Sequence, residues 1–100
     1  MRTREKKLED YGISRDRAQE LLILARQEQN RALLCRAAEN SCPWLSECLV
    51  KSLTGGGGYD RLYMRIYVPA TKADFYGYRR KTLAAFHDLL LDAAGKPQKT

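Results

Sequence analysis

Basic and aromatic side chains are interleaved in one stretch of the sequence, TKADFYGYRRKT, which covers residues 71–82. Guanidinium and ammonium groups bind phosphate oxygens, and an arginine can also bind the edge of a guanine through two hydrogen bonds. The chemistry offered by this stretch is therefore recognition of a polyanion. Near its centre lies Gly77, which destabilises a helix by roughly 1 kcal/mol relative to alanine and so needs an explanation.

The other reactive side chains form no catalytic or metal-binding pattern. Cys35, Cys42 and Cys48 have the spacing C-x6-C-x5-C, which lacks the two-to-four-residue gap typical of a structural zinc site. A zinc site that joins them to His87 is the less favoured interpretation, and reduced thiols that act as small buried hydrophobic side chains are preferred. His87 has no nucleophile or paired carboxylate at matching helical spacing. We expect no enzymatic activity, no cofactor and no metal.

A helix must position the residues of the basic stretch. Thr71 followed by Asp74 has the form of a capping box, which predicts a helix from Lys72 to about residue 91 or 92. The predicted core face of that helix consists of Phe75, Tyr78, Thr82, Phe86, Leu89 and Leu90. The opposite face is predicted to be flat and exposed to solvent, and consists of Ala73, Gly77, Arg80 and Ala84, flanked by Tyr76, Lys81 and His87. A flat basic helix of this kind suits the major groove of DNA, whereas the alternative is a solvated basic face with an incidental glycine.

Further helices are predicted before the basic stretch. Gly12 indicates a turn and Ser14 is an N-cap candidate. Apolar residues then recur at helical spacing over several segments between residues 15 and 53. The first ten residues are mostly charged and are predicted to form a frayed polar helix or a disordered arm.

The run TGGGG is interpreted as a flexible connector. Tyr59 and Asp60 follow it, where a phosphate-binding loop needs a Lys and a Ser or Thr. Residues 59–67 contain β-branched and aromatic residues that suit a strand, and their apolar spacing suits a short helix equally well. We prefer a helix because no second strand is evident. Pro69 then predicts a tight turn.

These elements predict an all-α fold, a small helical bundle with a C-terminal helix-turn-helix. Four parts follow one another along the chain. They are a polar N-terminal arm at residues 1–14, N-terminal helices at residues 15–53, the helix-turn-helix at residues 54–92 and a disordered tail at residues 93–100.

The charge of the chain favours a polyanionic partner. Its 100 residues include 18 Lys and Arg against 12 Asp and Glu, which gives a net charge of +6. Residues 59–91 contain six basic and three acidic residues, so the excess is concentrated there. No signal peptide is recognised in the charged first ten residues, and no apolar run is long enough to span a membrane. We expect a cytoplasmic protein without membrane association that binds an anion such as nucleic acid.

A family resemblance points in the same direction. Residues 52–90, SLTGGGGYDRLYMRIYVPATKADFYGYRRKTLAAFHDLL, resemble region 4 of bacterial sigma factors and small phage-encoded transcriptional regulators of the RinA/ArpU kind. The matching pieces are SL before a glycine turn, YDRL, a proline turn and FYGYRRK. The resemblance implies a sequence-specific DNA-binding transcriptional regulator of phage or prophage origin. The run of four glycines departs from the shorter turn of such proteins.

The resemblance also implies the residues that contact double-stranded DNA. Residues implied to face the groove are Lys72, Ala73, Tyr76, Gly77 and Arg80. Lys81 is implied to meet the phosphate backbone, and we expect Arg61 and Arg65 of the preceding helix to help position the recognition helix on the DNA.

A second function class remains open. The amphipathic helices between residues 15 and 53 also suit a protein-interaction module that binds RNA polymerase or another subunit without reading DNA. A homo-oligomer is compatible with both interpretations, because regulators of this kind often bind DNA as oligomers.

Overall fold

A computed structural model describes residues 2–95 of the chain, and these residues are helical with no β-strand among them. The α-helices of this range are α1 Arg15–Ala25, α2 Arg31–Ser41, α3 Ser46–Lys51, α4 Tyr59–Tyr63 and α5 Lys72–Gly95. Short 3₁₀ turns occupy Leu8–Tyr11, Glu28–Asn30 and Pro43–Leu45, and an irregular turn occupies Ser52–Gly56, where Gly55 adopts a φ of 108°. The predicted all-α fold is confirmed. The helix preferred over a strand for residues 59–67 is confirmed at Tyr59–Tyr63 and is wrong for residues 64–67, which form a turn and an irregular segment.

Local signals in the sequence set the starts of α1 and α5. Gly12 adopts a φ of 78°, and Ser14 Oγ accepts a hydrogen bond from the backbone N–H of Arg17 at 3.1 Å. Thr71 Oγ1 accepts one from the backbone N–H of Asp74 at 3.2 Å. These caps satisfy N–H groups that have no partner inside their own helix, as the sequence predicted.

The segment predicted as a helix-turn-helix is more irregular than that motif. α4 ends at Tyr63 after little more than one turn, and residues 64–71 connect it to α5. Pro69 lies in this connection, where it lacks an N–H and disfavours helical geometry at Val68. A usual helix-turn-helix joins its helices through about three or four residues. The C-terminal helix-turn-helix is therefore not confirmed and remains a proposal.

Two clusters of buried side chains form the core, and both include side chains of α5. The first lies between α1, α2 and the later turns of α5, and contains Ile13, Leu21, Ala25, Leu34, Ala37, Leu53, Leu83, Ala84 and Phe86. The second lies between α2, α3, α4 and the first turns of α5, and contains Ala38, Cys42, Leu45, Cys48, Leu49, Leu62, Val68 and Phe75. The most extensive contact between two helices joins α2 to α5, so α5 is the central helix of the bundle.

α5 is buried on two opposite sides. Phe75, Thr82 and Phe86 of the predicted core face are fully buried. Gly77 and Ala84, which were predicted to face solvent, are buried as well. The prediction of an open, flat face is wrong at these positions. Small residues allow another segment to approach a helix closely, and at Gly77 the approaching segment contains Thr3 and Arg4.

The polar N-terminal residues are part of the fold rather than a detached arm. Residues 2–7, which we name the N-terminal strap, lie across α5. The 3₁₀ turn Leu8–Tyr11 continues on the same side of α5, and Ile13 is buried in the first cluster. At the other end, residues 93–95 belong to α5, and the rest of the predicted tail lies outside the described residues.

Candidate nucleic-acid interface

Gly77 is a point of close approach between the N-terminal strap and α5. A Cβ atom added to Gly77 would lie 2.7 Å from the Cα atom of Arg4 and 2.7 Å from the carbonyl oxygen of Thr3. Carbon atoms pack best at about 3.5–4.0 Å, so a side chain at this position would displace the strap. The glycine that was predicted to face a DNA groove is instead required by the close approach of the chain's own backbone at Thr3 and Arg4.

Arg80 holds the N-terminal strap from the side of α5. Its Nε donates a hydrogen bond to the carbonyl oxygen of Lys6 at 2.7 Å, and its Nη2 donates one to the carbonyl oxygen of Arg4 at 3.1 Å. A hydrogen bond from a charged group contributes about 1.5–3 kcal/mol. The guanidinium that was predicted to face the DNA groove is thus occupied within the protein.

Tyr76 also has a structural partner. Its hydroxyl accepts a hydrogen bond from the backbone N–H of Tyr59 at 2.9 Å, which satisfies a donor at the start of α4. A Cβ atom added to Gly58 would collide with the same hydroxyl oxygen. The side chain of Tyr76 therefore joins α5 to α4, and in this arrangement it does not extend towards a groove.

Four of the predicted DNA contacts lie on an open surface: Arg61, Arg65, Lys72 and Ala73. Neither arginine has a carboxylate within 4 Å in the part of the chain that the structure describes. Lys72 Nζ forms an ion pair with Asp60 Oδ2 at 3.0 Å, and this hydrogen bond raises the pKa of Lys72. The pair joins the first turn of α5 to α4.

Large apolar and aromatic side chains are exposed beside these cations. Tyr63 is 59% exposed, Met64 87% and Tyr67 81%. The exposed ring of Tyr63 stacks on that of Tyr59 with centroids 5.6 Å apart. Because α4 has little more than one turn, it can bury only one face, and Leu62 occupies that face. We name the set Arg61, Tyr63, Met64, Arg65, Tyr67, Lys72 and Ala73 the α4 surface.

Two further cations of α5 have different surroundings. Lys81, predicted to meet the DNA backbone, is half-buried. Arg79 Nε donates a hydrogen bond to Ser52 Oγ at 2.9 Å, and burial lowers the pKa of Arg79. Ser52 Oγ in turn donates to the carbonyl oxygen of Gly57 at 2.7 Å. Arg79 therefore ties the glycine connector to α5.

Among residues 2–95, the cysteines and the histidine belong to no group of side chains that could hold a metal ion. Cys42 and Cys48 are buried, and burial raises the pKa of both thiols. Cys35 is half-buried. His87 Nδ1 accepts a hydrogen bond from Arg17 Nε at 3.0 Å, and no group of three His, Cys, Asp or Glu side chains is arranged to hold a metal ion within the described range.

Within residues 2–95, no helix combines the length and the apolar character needed to cross a bilayer. Comparisons of this chain with protein-family models, with characterised proteins and with solved structures found no match.

Proposed function

We propose that the protein binds double-stranded DNA through the α4 surface and acts as a sequence-specific transcriptional regulator. The observation that carries the proposal is the exposed pair Arg61 and Arg65, which have no acidic partner among the described residues and which flank exposed Tyr63 and Met64. An arginine pair of this kind suits phosphates or a guanine edge.

The accessible part of α5 favours the same surface. A recognition helix contacts base edges through its N-terminal residues, and the first turn of α5 is exposed at Lys72 and Ala73. The small side chain of Ala73 leaves room for close approach of a duplex. Arg61 lies in α4 and Arg65 lies two residues after its end, and both side chains are exposed. Tyr76, Gly77 and Arg80 contact other parts of the protein and make no groove contact in this proposed complex.

Salt-dependent DNA binding tests the proposal. Duplexes selected from a random library by the purified protein are titrated by fluorescence anisotropy at several salt concentrations. Each phosphate contact contributes about 0.9 to the slope of log affinity against log salt. The double variant Arg61→Ala/Arg65→Ala is expected to lower the slope by up to about 1.8 and to weaken binding.

A matched control removes the same charge elsewhere. Arg31 and Arg36 are exposed on α2, and Arg31→Ala/Arg36→Ala is expected to leave the slope nearly unchanged. Equal losses in both double variants would show that only net charge matters and would refute the α4 surface as the interface. Absence of DNA binding by the unaltered protein refutes the function itself, and selection without an enriched motif refutes sequence specificity.

One observation favours a second candidate function, a docking module for RNA polymerase or another protein subunit. Met64 and Tyr67, three residues apart in the sequence, are among the most exposed large apolar side chains of the described residues, and an exposed apolar patch is typical of an interaction site. Met64→Ser/Tyr67→Ser would then abolish protein association, as measured by sizing chromatography without DNA, while the salt slope for DNA stays the same. A variant that alters only DNA binding argues against this candidate.

A further inference from the structure

A basic cleft lies where the N-terminal strap crosses α5. Arg2, Thr3 and Arg4 of the strap line one side, Asp74 and Tyr78 of α5 line the other, and the cleft has a volume of about 420 Å³. We infer that this cleft binds a phosphate group and that the group belongs to the DNA backbone. The second part of the inference rests on the proposed function, and the first part does not.

The strap is anchored through its backbone, which leaves the side chains of Arg2 and Arg4 accessible to a ligand. Arg80 binds the carbonyl oxygens of Lys6 and Arg4, and Gly77 admits the backbone at Arg4. The side chains of Arg2 and Arg4 are exposed. The fold therefore holds two guanidinium groups at one cleft without occupying both of them in internal contacts.

Arg4 has one acidic partner and retains binding capacity beside it. Its Nε lies 3.7 Å from Asp74 Oδ1, which is longer than a hydrogen bond, and both side chains are about half-exposed. An arginine carries five N–H donors in a planar fork. The donors that do not face Asp74 can bind two oxygens of one phosphate, the geometry in which arginine binds this group best.

The local charge balance favours an anion. Asp74 is the carboxylate that lines the cleft, and it is opposed by Arg2 and Arg4. Arg80 adds a charge behind the strap with no carboxylate within 4 Å among the described residues. Lys81 follows Asp74 by two helical turns on the same side of α5. Mutual repulsion of these cations disfavours the ligand-free state, and a bound phosphate relieves that repulsion.

An aromatic pair beside the cleft provides a probe. The rings of Trp44 and Tyr78 meet edge to face with centroids 6.0 Å apart, and Trp44 is the single tryptophan of the chain. Inorganic phosphate is titrated into the ¹⁵N-labelled full chain, with chloride at matched ionic strength as the reference. Saturating shifts of the amides of Thr3 and Arg4 and of the Trp44 indole N–H are expected with phosphate only.

Two variants test the cleft in different ways. Arg2→Gln/Arg4→Gln removes the charges and keeps the strap backbone, and Gly77→Ala keeps every charge but displaces the strap. Both are expected to lose the saturating shifts, whereas Arg31→Ala/Arg36→Ala is expected to keep them. Shifts that do not saturate, that chloride reproduces, or that persist in both test variants would overturn the inference.

The source of the phosphate is tested with DNA. If one backbone phosphate occupies the cleft, Arg2→Gln/Arg4→Gln lowers the salt slope by about 0.9, and Gly77→Ala does the same. An unchanged slope together with lost phosphate shifts would overturn DNA as the source. Tighter DNA binding by Gly77→Ala would also overturn the assignment of the phosphate to DNA, because the strap in its native position would then block DNA binding. If the unaltered protein does not bind DNA, the proposed function is refuted. The phosphate titration still tests whether the cleft binds phosphate.

Discussion

Substitution of Gly77 by alanine tests whether the N-terminal strap covers α5. In an isolated helix this change is favourable, because alanine is the better helix former. In the folded chain the added Cβ atom would lie 2.7 Å from Arg4 Cα and from Thr3 O, so the strap must move away. The helix propensity of alanine raises the free energy of unfolding, and displacement of the strap lowers it. The sign of the net change therefore depends on whether the strap is present.

The expected magnitudes follow from the contacts. Displacement of the strap breaks the two hydrogen bonds of Arg80 to Lys6 and Arg4, a loss of about 3 kcal/mol at the lower estimate of about 1.5 kcal/mol each. Alanine recovers about 1 kcal/mol through its helix propensity. The free energy of unfolding of the full chain should therefore fall by about 2 kcal/mol. In a chain without residues 1–7, the same substitution should raise it by about 1 kcal/mol.

Urea unfolding measures both effects. Far-UV circular dichroism and the fluorescence of Trp44 should report one coincident transition, which permits two-state analysis. In thermal unfolding, each 1 kcal/mol corresponds to about 4–8 °C for a domain of this size. The control is Ala73→Gly, at an exposed position of α5 that the strap does not cover, which should have the same effect in both backgrounds.

A reversal of sign between the two backgrounds is the diagnostic result. If Gly77→Ala stabilises the full chain as much as the shortened chain, the strap does not lie on α5. The assignment of Gly77 and Arg80 to contacts within the protein would then be wrong, and the groove-facing role that the sequence suggested for them would regain support.

Three further predictions concern other contacts. Tyr76→Phe removes the acceptor of the Tyr59 N–H and should lower the free energy of unfolding by about 1–3 kcal/mol in urea titrations; an unaltered stability would contradict the 2.9 Å hydrogen bond. A thiol reagent at pH 8 should label Cys35 first, whereas Cys42 and Cys48 should react only in urea, since they are buried; equal rates in the native protein would contradict the fold. Burial raises the pKa of these two thiols above the ordinary value of 9.0, so their contribution to stability is present below pH 9 and is lost as the pH rises above it. The urea midpoint should therefore fall between pH 8 and pH 10, and it should fall less in Cys42→Ala/Cys48→Ala.

The sequence predicted the features that depend on residues close to one another in the chain. The helical class, the caps at Ser14 and Thr71, and the buried positions Phe75 and Phe86 follow from spacing of three or four residues. Such signals are local, because hydrogen bonds and side-chain contacts within a helix join residues one turn apart.

In α4, the apolar character of a residue does not predict whether its side chain is buried. Leu62, Tyr63 and Met64 are adjacent apolar residues, and Leu62 is buried while the other two are exposed. Apolar character alone does not assign a face in a segment of one turn. The choice is made by the helices against which the segment packs.

The environment of Gly77 and Arg80 was decided only in the folded protein. The small residues of α5 indicate that something approaches this helix closely, and a DNA groove or a second segment of chain satisfies that pattern equally well. The approaching segment is the N-terminal strap, whose Lys6 and Arg4 lie 74 and 76 positions from Arg80 in the sequence. No local spacing encodes a contact over that distance. It results from the packing of α1 and α2 against α5, which brings the first residues of the chain onto its central helix.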